Sequence, residues 1–168
     1  MSSRFVSAAI LAAALFVGSV SAALAETYQV SLGAAAALMS FPDSWKITQI
    51  KRGLQAVSPD GEVYIWVEAY APKQLDALVK EHEEYFDKQK VTLGEPKSHE
   101  GAVNGMKMVA LDFPATWKGK KTVVQYLLVN PGVKNNTQLM LSNWSSVKGD
   151  KMYQKETDAM VASMKIKQ

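Results

Sequence analysis

No cysteine occurs anywhere in the 168 residues. That absence excludes a disulfide scaffold, a cysteine-ligated zinc site and a thiol nucleophile. It also removes the thiol on which a lipid-anchored lipoprotein would be acylated. Histidine is nearly as scarce, with only His82 and His99. The motifs of phosphate and metal chemistry are missing as well. There is no Gly-x-x-x-x-Gly-Lys loop, no Gly-x-Gly-x-x-Gly turn, no Gly-x-Ser-x-Gly elbow, no His-Glu-x-x-His and no Asp-x-Asp-x-Asp-Gly loop. A nucleotide-driven kinase or ATPase therefore lacks its recognisable phosphate-binding parts, and the expectation leans to a protein that is not an enzyme and has no cofactor. Strong charge of one sign is lacking too. The formal net charge is +3, too small to argue for a nucleic-acid partner.

What is present begins with a segment unlike the rest. Arg4 supplies a positive start, Phe5 to Leu24 are almost all apolar or small, and Ala8 to Val17 form an unbroken apolar run. Ala23-Leu24-Ala25 places small residues at the −3 and −1 positions of a cleavage site before Glu26. Residues 1–25 read as a signal peptide and 26–168 as a single domain. A retained anchor is the rival reading, but Gly18, Ser19 and Ser21 weaken the run and no basic cluster follows it. The expected location is the periplasm, with secretion or N-terminal membrane anchoring as alternatives. The 143 residues left after cleavage can bury about two-thirds of their unfolded surface, enough for a core without staples. Charge is uneven along them: residues 62–100 hold nine acids and five bases, and residues 101–168 hold four acids and ten bases. Such a split can steer a partner, or it can simply be solvated.

Periodicity and turn chemistry give a coarse order of elements. Tyr28–Leu32 alternates as a strand, while the Ala-rich stretch Gly33–Met39 is ambiguous between helix and strand. After the turn at Pro42-Asp43 come short strands at Trp45–Ile50 and Leu54–Val57, and Ser58-Pro59-Asp60-Gly61 marks a hairpin. Glu62–Tyr70 is the clearest strand, with Val63, Ile65, Val67 and Ala69 on one face. Pro72 opens a helix whose inner stripe is Leu75, Leu78, Val79, His82 and Phe86. Three longer strands follow near Met106–Phe113, Thr122–Val129 and Thr137–Trp144. Asp150 is the expected N-cap of a last helix running to Met164, with Tyr153, Thr157, Met160, Val161 and Met164 facing inward. Tight turns rather than crossovers predict a mainly antiparallel sheet flanked by two main helices, an α+β fold of the α/β/α sandwich type.

Phe41-Pro42-Asp43-Ser44-Trp45 after an exported leader resembles the "P-x-x-W" start of the PsbP-like and Mog-type α/β/α sandwich proteins. The Pro59-Asp60-Gly61 hairpin, the Tyr64–Val67 strand, the Leu75–Phe86 helix, the meander and the last helix follow that family's order. The resemblance implies a non-catalytic module that assists or binds a larger assembly, and it brings no catalytic residues with it.

Three groups of residues remain as candidates. Tyr64, Trp66 and Tyr70, with Glu62 and Glu68, form an aromatic and acidic stripe that binds a ligand if open and belongs to the core if a helix covers it. Met106, Met108 and His99 offer soft-metal ligands, although core filling is the default use of methionine. Trp117, Lys118, Lys120 and Lys121 sit at a hairpin tip suited to an acidic surface. These residues are the expected contact with another envelope protein, and an anionic membrane surface is a second partner open to them. The expected function is an exported, non-enzymatic binding or accessory protein. The alternative is a periplasmic protein that binds a small ligand or a soft metal. His82, lacking a partner in the sequence, reads as a core-boundary histidine.

Overall fold

The computed structural model describes residues 25–168. The expected leader therefore lies outside the described residues, apart from Ala25. The chain makes two sheets. Strands β1 (Ala25–Ser31) and β2 (Ala36–Pro42) pair with β11 (Lys165–Lys167) in a three-stranded sheet of order β1-β2-β11. The larger sheet contains β3 (Lys46–Ile50), β4 (Gly53–Val57), β5 (Val63–Tyr70), β8 (Met106–Trp117), β9 (Lys120–Asn130) and β10 (Gln138–Ser146). Its order is β3-β4-β5-β10-β9-β8, and the β8 edge is completed by β6 (Val91–Leu93) and β7 (Lys97–Val103). Every pairing is antiparallel. Helix α1 (Leu75–Lys88) covers one face of the large sheet, while α2 (Val147–Ala162) and the small sheet share the other. This is an α+β sandwich. Among the described residues no helix is long and apolar enough to cross a membrane.

Strand alternation sorts the side chains. Val63, Ile65 and Val67 of β5, with Leu139 and Leu141 of β10, face the small sheet and join Val30, Ala37, Met39 and Phe41. Trp66, Tyr70, Val124, Tyr126, Met140 and Trp144 face α1. The central strand β10 is flanked by β5 and β9, so it is buried on both faces.

The structure resolves one open reading and corrects others. The Ala-rich stretch resolves into β2, because its alternating Ala37, Met39 and Phe41 are buried against the larger sheet while their neighbours are less so. Burial on a pleated surface outweighs alanine's helical preference. The last helix is capped by Ser146 instead of Asp150: the Ser146 hydroxyl accepts a hydrogen bond from the Gly149 amide at 2.9 Å, and Asp150 falls inside the first turn. The second sheet, β6, β7 and β11 were not foreseen.

Candidate functional site

The hairpin tip is built by a two-residue turn at Lys118-Gly119, with φ of 50° and 77°. Positive φ at both positions matches the twist of the flanking strands, and glycine takes the second without strain. Trp117 pairs with Lys120, and Thr116 with Lys121. The pleat therefore splits the expected cluster: Trp117 and Lys120 lie on the α1 side of the sheet, and Lys121 on the other. Trp117 is the largest exposed aromatic among the described residues, at 39%. It is nevertheless tied down. Its indole N–H donates to the Gln89 carbonyl at the end of α1 (3.0 Å), and its ring meets Trp144 edge-on at 5.7 Å. The Lys118 ammonium lies 4.6 Å from the Trp117 ring centre. Pairing of Val91 with Trp117 brings in Lys90, whose carbonyl accepts from the Lys118 amide at 3.4 Å. Lys90 is a member of this basic tip that sequence spacing alone did not reveal.

The aromatic stripe lies under α1. Trp66 and Tyr70 are buried and Tyr64 is half-buried. Tyr64 stacks on Trp144 at 5.6 Å, and Trp66 meets Tyr85 and His82 edge-on at 5.5 and 6.0 Å. The stripe gains a charged centre from the helix above it. His82 Nε2 lies 2.5 Å from Glu68 Oε2, and its Nδ1 is 3.3 Å from Ser142 Oγ. On its other oxygen Glu68 accepts from Arg52 Nε at 3.2 Å, and Arg52 reaches on to Glu81 at 2.6 Å. The Arg52 guanidinium, hydrogen-bonded to Glu81, holds that carboxyl below its usual range. Hydroxyl, imidazole and carboxylate stand in the order of a proton-relay set. Ser142, however, has 0% exposure, so no substrate carbonyl reaches its Oγ. The row acts instead as a polar bridge that fixes α1 to β5 and β10. The depression beside it, about 300 Å³, is lined by Ile50, Lys51, Trp66 and Tyr85.

Met106, Met108 and His99 do not converge as free ligands. Met106 is in the core and Met108 packs against it. His99 is exposed on β7, 3.5 Å from Asp112.

A larger space lies beneath α2 and was not anticipated. A cleft of about 440 Å³ separates the middle of the helix from β8, β9 and β10. The helix is seated by Gly149 and Met160 and, along its middle, by Tyr153 packed edge-on against Trp45 at 5.5 Å and Glu156 accepting from the Trp45 indole at 2.6 Å. A Cβ on Gly149 would stand 2.7 Å from Glu62 Cβ and 2.9 Å from its carbonyl oxygen, so only glycine permits this approach. Along the helix Asp150, Gln154, Thr157, Asp158 and Val161 face the cleft. Their spacing is that of a helix's inner stripe, but the first four are polar. Burial, and then the charge of Asp158, raise the Asp150 carboxyl above its usual range.

Comparison with solved structures matches the architecture. The solution structure of cyanobacterial PsbP (CyanoP) from Synechocystis sp. PCC 6803 is similar to this chain with a TM-score of 0.60, covering 89% of this chain and 96% of that one at 9% identity. The crystal structure of LpqN from Mycobacterium tuberculosis is similar with a TM-score of 0.56, covering 86% and 92% at 10% identity. The fold is PsbP-like. No family model and no curated protein matches the chain.

Proposed function

We propose that this chain is an exported, non-enzymatic accessory module of the cell envelope. In this reading the tip formed by Trp117, Lys118, Lys120 and Lys121, extended by Lys90, contacts an acidic surface of another envelope protein. The observation that carries the reading is Trp117 itself, a large aromatic left 39% exposed although its indole N–H and inner edge are both satisfied. An anchored aromatic with cations beside it offers contact area at little entropic cost. The leader-like residues 1–25 supply the export address. The shared fold supports the reading, since LpqN is a protein involved in cell envelope biogenesis.

The test is site-specific photo-crosslinking in intact cells, with the crosslinker at Lys118 and, as a control, at Gln29 on the small sheet. The expected result is one discrete adduct from Lys118 that Gln29 does not give and that Lys90→Glu/Lys120→Glu removes. Identical adduct patterns from both positions would overturn the assignment. The lysine variant is the cleaner probe, because Trp117→Ala also breaks the bond to Gln89. Vesicles containing anionic lipid separate the membrane alternative: binding to them with no protein adduct would replace the protein partner with a lipid surface.

A further inference from the structure

The space beneath α2 has a chemistry of its own. Its floor is apolar, made by Ile65, Leu127 and Leu141, and its volume of about 440 Å³ lies within the range of small-molecule sites. Three aspartates line it, Asp112, Asp150 and Asp158, with no lysine, arginine or histidine among the lining residues. Asp112 is already engaged, accepting from Gln125 Nε2 at 2.8 Å and lying beside His99. Asp150 and Asp158 have no ion-pair partner within 4.0 Å among the described residues. Asn143, at the same wall, has a fully buried Oδ1 without a hydrogen-bond partner. An unpaired carboxylate on the cleft side of the helix works against the fold, since Asp150 is partly stripped of water with no ion-pair partner, while Asp158 stands at the exposed rim. The raised Asp150 carboxyl is a sign of that cost. The missing complement is positive charge on a body that wets an apolar floor.

We infer that the cleft beneath α2 binds a small organic cation, an amine on an apolar aromatic or alkyl body, with Asp150 holding the ammonium, Asp158 about two turns along the helix adding negative charge at the rim, and Ile65, Leu127 and Leu141 receiving the body. The site is separate from the Trp117 tip and does not depend on it.

The probe is phenethylamine, compared with its neutral isostere 2-phenylethanol, titrated into isotopically labelled protein lacking residues 1–25 and followed by amide and methyl NMR shifts. Saturable shifts confined to the cleft-lining residues of β2, β5, β7, β8, β9, β10 and α2 are expected, with phenethylamine binding about tenfold more tightly than the alcohol, the worth of one charge-assisted contact. Asp150→Asn/Asp158→Asn should erase that preference while leaving the shift pattern of the rest of the sheet intact. Thr157→Lys, which supplies an ammonium from the protein itself, should abolish amine binding. Equal affinity for amine and alcohol, shifts outside the cleft, or no saturable amine binding would each overturn the inference. A failed double variant does not rescue it, because the comparison of amine and alcohol on unaltered protein decides alone.

Discussion

The two helices lie on opposite faces of one sheet and meet it with opposite inner surfaces. Helix α1 buries Leu78, His82 and Phe86 against Trp66, Tyr126, Met140 and Trp144, and the one polar residue in that stripe is satisfied by Glu68 and Ser142. Helix α2 buries only Gly149 and Met160, and turns Asp150, Gln154, Thr157 and Asp158 toward the space between. Both are amphipathic by spacing, but α1 closes its stripe against the sheet, whereas α2 packs through Tyr153 and Met160 and leaves a polar stripe beside them. The small sheet does for the second face what α1 does for the first, packing Val30, Ala37, Met39 and Phe41 onto it. That divides the packing of this face between the small sheet and α2 and leaves the helix's polar residues free to shape a cleft.

The comparison breaks most readily at Phe86. Phe86→Ala should cost about 3–5 kcal/mol in denaturant unfolding, as for other fully buried aromatics, whereas Gln154→Ala on the facing stripe should stay within about 0.5 kcal/mol. Equal losses would mean that α2 is packed as tightly as α1. Glu68→Ala should follow at about 3 kcal/mol, because it strands His82 beneath the helix and removes a partner of Arg52. A loss no larger than that of an exposed carboxylate would show that the bridge does not fix α1. Gly149→Ala comes next. Alanine gains up to about 1 kcal/mol of helix propensity, but its Cβ collides with Glu62, and overpacking of about 1–3 kcal/mol should win. A stabilised variant would show that the seat of α2 can yield.

Asp150→Asn is expected to have the smallest effect, and its sign is opposite. The folded state holds the Asp150 proton more tightly than the unfolded chain does, so ionisation penalises folding. The penalty is absent below the unfolded carboxyl value of ~3.9, grows as pH rises from there to the folded value, and stays constant above it. The variant should therefore melt above the wild type at pH 7, with the gap closing on acidification below about pH 4. A gap that is unchanged at low pH would remove the electrostatic explanation.

Much of this was legible in local sequence. The alternation of Val63, Ile65 and Val67, the Ser58–Gly61 turn and the Leu78–Phe86 stripe each appear where spacing placed them. What was not legible depends on distant partners. The polar run Lys97–Val103 hides a strand because it lies at a sheet edge and needs no apolar face; the Asn104-Gly105 hairpin dipeptide was the signal available for it. His82 showed no partner, because Glu68 and Ser142 reach it only through the crossing of α1 over β5 and β10. The α2 cleft was equally hidden. Asp150 read only as the helix N-cap, and local spacing does not show that Gln154 and Asp158 line a cleft under the helix.

The small sheet also has a bearing on time. Ala37 is flanked by Val30, a neighbour in sequence, and by Ile166, far along the chain. Pairings separated by so much chain form slowly, because the intervening loop must close first. In an exported protein threaded from its N-terminus, Val30, Met39 and Phe41 would reach the far side of the membrane long before β11 arrives to finish their sheet. On the proposed export, that interval is when a holdase or a protease in the receiving compartment would have its best access to this chain.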